Sequence, residues 1–190
     1  SQAIAAAGCV LQYLNETQKA ALPHLQSIQL LQQSRNLALD ATTIKNLELN
    51  LTLSGQRENT LLSILDRTAT AMGSRQLQRF LVQPSRDRSE LNKRLDITEA
   101  LIEEGIYPDL SAELKRVGDI ERIISRIAIR TARPRDFSRL RQALEAFPQI
   151  TNQLNEADSP CLNEYTQGIS HFDDLRELLT KAIVENPPVI

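Results

Sequence analysis

Apolar residues return every three or four positions through most of this chain, a period that predicts helices. Ala3, Ala7, Val10 and Leu14 place one stripe on a first helix running to about Leu22, where Pro23 ends it. The small run Ala5-Ala6-Ala7-Gly8 permits close approach of a neighbouring helix. The period then changes. Ile28, Leu30, Leu37 and Leu39 alternate with polar residues around Gln33-Ser34-Arg35-Asn36, which predicts a small β-hairpin. Helical signals resume with Asp40 as a cap. Ser54-Gly55-Gln56 reads as a loop, and Asn59 as the cap of a short helix through Leu65. A helix from Met72 to Val82 should bury Leu77, Phe80 and Leu81 before Pro84 stops it. Asp87 then caps a long helix whose Leu91, Leu95, Thr98 and Ile102 share a face, with Gly105 as its stop.

The second half is more regular. Ile120, Ile123, Ile124, Ile127 and Ala128 fall at i, i+3, i+4, i+7 and i+8, the spacing of an amphipathic helix. Arg133-Pro134 breaks it, and Pro134 is placed to begin the next helix. There Phe137, Leu140, Leu144 and Phe147 form a seam expecting a partner helix, with Pro148 kinking or ending the run. Asp158-Ser159-Pro160 reads as a turn. Phe172, Leu175, Leu179 and Ala182 supply a second seam, ending at Pro187-Pro188, that should pack on the first. The fold class this predicts is mainly α: a multihelical, bundle-like core in two packed subdomains, with one small β-hairpin near the N-terminus. No solenoid repeat or low-complexity linker is present.

Composition narrows the function classes. A length of 190 residues suffices for one domain, or two small helical subdomains, with a sizeable core. With 24 acidic against 22 basic residues the net charge is −2, so no global field draws the chain to nucleic acid and any DNA contact must be local. Cys9 and Cys161 are too few for a disulfide framework or a cysteine zinc site. Nothing reads as a signal peptide, and the apolar runs are too short to span a membrane, so a reducing cytoplasm is expected.

Three features invite a chemical reading. Arg122, Arg126 and Arg130 lie four residues apart opposite the isoleucine face, followed by Arg133, Arg135, Arg139 and Arg141, with only Asp136 offsetting them locally. Such a stripe could contact phosphates. The preferred reading is a solvated face, or one paired with acids such as Glu99, Glu103 or Glu145. Leu61 to Asp66, a turn at Thr68 to Ala71 and a helix bearing Arg75, Gln76, Gln78 and Arg79 resemble a helix-turn-helix whose side chains could reach base edges. Ordinary helix packing explains them as well, with Gly73 marking a tight approach. His171 beside Ser170, Asp173 and Asp174 offers base and nucleophile types, but sequence neighbours on a helix diverge and make no triad. His24 follows a proline in a turn. No Gly-x-x-x-x-Gly-Lys-Ser/Thr or Gly-x-Gly-x-x-Gly segment exists to cradle nucleotide phosphates, and no phenylalanine has glutamate two residues on. No catalytic, cofactor, metal or direct DNA-binding residue is assigned.

The stretch from Thr60 to Ser85, including Met72-Gly73-Ser74-Arg75, the segment Asp119-Ile-Glu-Arg-Ile-Ile-Ser-Arg-Ile-Ala-Ile-Arg-Thr-Ala-Arg-Pro-Arg-Asp-Phe137, and Asn186-Pro187-Pro188 together resemble the MutS family of DNA mismatch-repair ATPases. Ala71 stands where that family usually has proline. The resemblance covers nearly the whole chain and implies the first part of the family's core, or lever, domain over residues 1–190, with 1–22 as a connecting helix. It implies a module that couples the ATP state of a distant domain to DNA clamping and mismatch recognition. The clamp, the Phe-x-Glu sensing motif and the ATPase domain would then lie elsewhere, as would ATP and magnesium. Implied partners are mismatch-containing double-stranded DNA, a second MutS-like subunit and a MutL-like repair protein. Two alternatives come from other classes. A stand-alone helical DNA-binding module using the arginine face would lose affinity steeply with salt, and a small helical enzyme would need a convergent acid, base or metal set.

Overall fold

The computed structural model describes residues 2–18 and 36–188. Over these residues the chain is helical: α1 (Gln2–Gln18), α2 (Ala41–Asn46), α3 (Leu61–Leu65), α4 (Ala71–Val82), α5 (Arg88–Glu103), α6 (Tyr107–Val117), α7 (Ile120–Ala128), α8 (Pro134–Glu156), α9 (Pro160–Thr166) and α10 (Asp173–Ala182). The mainly α fold class holds. Most of the predicted hairpin, like His24 and Pro23, lies outside the described residues. Its described end, Asn36 to Leu39, forms no strand. Asn36 instead makes a single antiparallel bridge to Ser85, and the Leu37 N–H donates to the Pro84 carbonyl at 2.8 Å. The tertiary fold thus supplies a backbone partner from beyond α4, where local alternation had suggested a neighbouring strand.

Side-chain caps set most helix starts. Asp40 accepts from the Thr43 N–H at 2.7 Å, and Asp87 from Ser89 and Glu90. The cap of α3 is Thr60, not Asn59. Asn59 turns the chain at φ 61, and Thr60 and Ser63 then exchange side-chain to backbone bonds across the first turn. Thr70 caps α4 through Gly73 N–H at 3.0 Å. A Cβ on Gly73 would meet Thr68 Cβ at 3.1 Å, so that glycine marks the expected tight approach. No such crowding surrounds Gly8, where nothing lies within 4 Å among the described residues.

The core is arranged along α8. Its N-terminal half, with Ile123 of α7 and Leu179 of α10, forms one apolar cluster around Leu140 and Leu144, the latter 3% exposed. The two helices expected to pair do pack together, but of the second seam only Leu179 is buried against the first. Further along, Ala143, Ala146, Ile150 and Leu154 join Leu110 and Val117 of α6, Ala100 of α5 and Leu162 of α9 in a second cluster. Ala143 and Ala146 carry no bulk beyond Cβ, which lets α6 lie close in the most extensive helix pairing of the fold. Pro148 neither ends nor interrupts the helix assignment of α8. A proline forfeits a helix hydrogen bond, but burial of Ile150, Thr151 and Leu154 beyond it holds the rod together.

Other apolar faces turn out differently. On α5 the buried side carries Ile97, Ala100 and Leu101, while Leu95 and Ile102 are 65% and 64% exposed. The stripe chosen by spacing was therefore displaced around the helix. Arg94 lies over the Phe80 ring at 3.7 Å on the half-buried side of α5, and Leu77, Phe80 and Leu81 of α4 are only half-buried. On α10 Leu179 is buried, whereas Phe172, Leu175 and Ala182 are exposed. Helices α6 and α9 had no counterpart in the sequence reading.

Candidate functional site

The helix-turn-helix look-alike is built for docking inside the protein. Asp66 closes the α3–α4 turn by accepting from Ser74 Oγ at 2.5 Å and Thr68 Oγ1 at 2.6 Å; these bonds, Ser74 first, hold its carboxyl below the ordinary value of 3.8. Arg75, the best-placed base-reading candidate, forks onto the acids at the start of α7: Asp119 at 2.8 and 3.0 Å and Glu121 at 2.6 and 3.2 Å. Two carboxylates raise the guanidinium's affinity for its proton, and the Arg75 bond chiefly lowers that of Asp119. Arg79 bonds to Gln76 at 3.3 Å. A side chain engaged in this way presents no free edge to a major groove.

The arginine stripe divides. Arg126 reaches Asp136 at 2.6 Å. Asp136 is 4% exposed and its other oxygen accepts from the Arg133 N–H at 2.9 Å, a bond that outranks Arg126 in lowering its pKa against the opposing effect of burial. Arg141 lies buried on α8, donating to the Ile183 carbonyl at 2.7 Å with Glu145 at 3.7 Å. Of the acids expected to neutralise the stripe, Glu145 does so, while Glu99 and Glu103 form no ion pair among the described residues. Arg122, Arg130 and Arg139 have no carboxylate within 4.0 Å among the described residues.

Two of those free charges, Arg122 and Arg139, face a cleft of about 430 Å³ where the C-terminus of α6 meets α7 and α8. Lys115, Arg116, Arg122, Arg126 and Arg139 line it, over Val117 and Ile123. A second hollow of about 460 Å³ adjoins it across Arg126, Asp136 and Arg139 and extends to Arg133, Arg135 and Pro188. Lys115 and Arg116 escaped the sequence reading because α6 did. Only the turn at Gly118, with φ +67, swings them against Arg122.

A third arrangement fixes the chain after α10. Arg141, Ser138 and Arg135, spaced three apart on α8, donate to the carbonyls of Ile183, Glu185 and Pro187, spaced two apart, at 2.7, 3.0 and 3.4 Å. Backbone carbonyls are the acceptors, so sequence gave no pairing signal.

Among the described residues, the side-chain partner of His171 is Thr151. The ring Nε2 lies within hydrogen-bond distance of Thr151 Oγ1, at 2.9 Å, and the same hydroxyl meets the Phe147 and Pro148 carbonyls at 3.1 and 3.0 Å. Asp173 pairs with Arg176 at 2.8 Å. Among the described residues no group of three or more His, Cys, Asp or Glu is placed to hold a metal, and no helix is long and apolar enough to cross a membrane. In comparison with known families, the model of MutS domain III matches residues 42–190.

Proposed function

This chain belongs to the MutS family of DNA mismatch-repair proteins, and on that premise we propose that it acts as a stiff lever joining DNA clamping to the ATP state of a distant domain. A role in mismatch repair follows from the family. The lever reading rests on α8: a rod from Pro134 to Glu156 on which α6, α7, α9 and α10 all pack, and which straps the segment 183–187 at three carbonyls. Transmission between sites needs packed elements that move as units, and a helix gripping both another helix and the segment that follows it supplies one.

In this proposal residues 1–190 are the first part of the core domain and α1 (Gln2–Gln18) is its connecting helix. ATP and magnesium bind other domains of the parent protein, and no residue here contacts them. Mismatched duplex DNA, a second MutS-like subunit and a MutL-like protein are partners of that parent, in the cytoplasm. The independent DNA-binding module on the arginine face is not favoured by the family match, and Arg126 of that face is engaged by Asp136.

The test is Leu144→Ala in the full-length parent. Truncation at this site should cost about 2–5 kcal/mol. At a temperature where the variant stays folded, mismatch binding and basal ATPase should persist, while the ATP-driven change in mismatch-DNA dissociation rate falls. An undiminished ATP effect in a demonstrably destabilised variant would make α8 and α10 scaffold only.

A further inference from the structure

We propose that the cleft between α6, α7 and α8 is a docking site for an acidic, extended segment of a partner protein. Charge complementarity argues for it. The two carboxylates lining the cleft are already answered internally, Asp119 by Arg75 and the Arg122 N–H, Asp136 by Arg126 and the Arg133 N–H. Arg116 is turned to Glu113 at 2.6 Å and Gln149 at 2.7 Å. Lys115, Arg122 and Arg139 remain, each exposed and without a carboxylate within 4.0 Å among the described residues. Three like charges converging on one concavity repel one another, and an anionic occupant relieves that repulsion.

The shape selects the occupant. A duplex presents its phosphates on a convex cylinder and is met by cations spread over a broad surface. Here the free cations surround a hollow of about 430 Å³ with Val117, Ile123 and Ala71 in its walls. Glutamate side chains fit such a setting: a carboxylate for the planar arginine fork and methylenes for the apolar wall. The adjoining hollow along Arg133 and Arg135 lengthens the track, which suits an extended peptide over a compact ligand.

The test uses a fluorescein-labelled peptide alternating glutamate with alanine, titrated by anisotropy into the 190-residue chain at low salt, beside a labelled matched duplex. Binding of the peptide should weaken at least about tenfold in Arg122→Gln/Arg139→Gln, with an unchanged thermal melt. Lys93→Gln, removing a cation paired with Glu164 elsewhere on the surface, should leave it unchanged. Arg122→Lys/Arg139→Lys should restore binding in part, because charge returns without the fork. No binding of the peptide, or equal binding to the double glutamine variant, overturns the proposal. So does duplex DNA binding more tightly than the peptide through the same two arginines, which would make the occupant a nucleic acid. Each of these outcomes is independent of the Leu144→Ala result.

Discussion

Asp136 holds two jobs with one carboxylate, starting α8 through the Arg133 N–H and tethering α7 through Arg126. Both bonds favour the ionised form, and its pKa sits below the ordinary 3.8 in spite of burial. The folded state therefore holds the proton more weakly than the unfolded state. The stabilisation is fully present above about pH 4 to 5 and is lost as pH falls through the folded value. Asp66 and Asp119 act in the same direction. Urea midpoints should stay nearly level from pH 7 to 5 and drop below 3.8. Asp136→Asn should cost about 1.5–3 kcal/mol at pH 7, the range for a hydrogen bond to a charged group, and flatten the acid limb. An acid limb as steep as that of wild type would show that other carboxylates govern it.

Helix α4 has no buried residue, and Met72 supplies its half-buried contact with the main cluster. Its connection to α7 is the exposed Arg75 fork on Asp119 and Glu121, where charge does what apolar burial does elsewhere. Exposed ion pairs are screened by salt, with a Debye length near 3 Å at about 1 M. Amide exchange over α4 should accelerate in Arg75→Gln, and in wild type at high salt, while α8 amides keep their protection. Equal α4 protection in the variant would mean that Met72 and the half-buried Phe80 hold the helix unaided.

The molecule as a whole leaves apolar side chains uncovered. Leu95 and Ile102 on α5, and Leu175, Leu178 and Val184 around α10, are exposed among the described residues. Surfaces of this kind favour association. Sedimentation velocity of the 190-residue chain should show an average mass rising with concentration, and Leu95→Glu/Ile102→Glu should reduce the rise. A single monomeric species at high concentration in wild type would show that these side chains lie too scattered to join two copies.

What the sequence determined by itself was local. The caps at Asp40 and Asp87, the breaks at Gly105 and Arg133-Pro134, and the seam Phe137 to Phe147 with its partner around Leu179 follow from hydrogen bonds and periods that close within a few residues. Spacing alone named a stripe on α5 yet could not choose its buried side, because Ile97, Ala100 and Leu101 fit the helical period as well as Leu91, Leu95 and Ile102. Tertiary structure made that choice, by bringing α6, α8 and α9 to one side. It also decided the long-range electrostatics. Arg75 meets Asp119 across 44 residues, Arg141 meets a backbone carbonyl, and Lys115 meets Arg122 around a glycine turn. A charge acts through distance and desolvation in three dimensions, so its partner is settled only when the helices have packed.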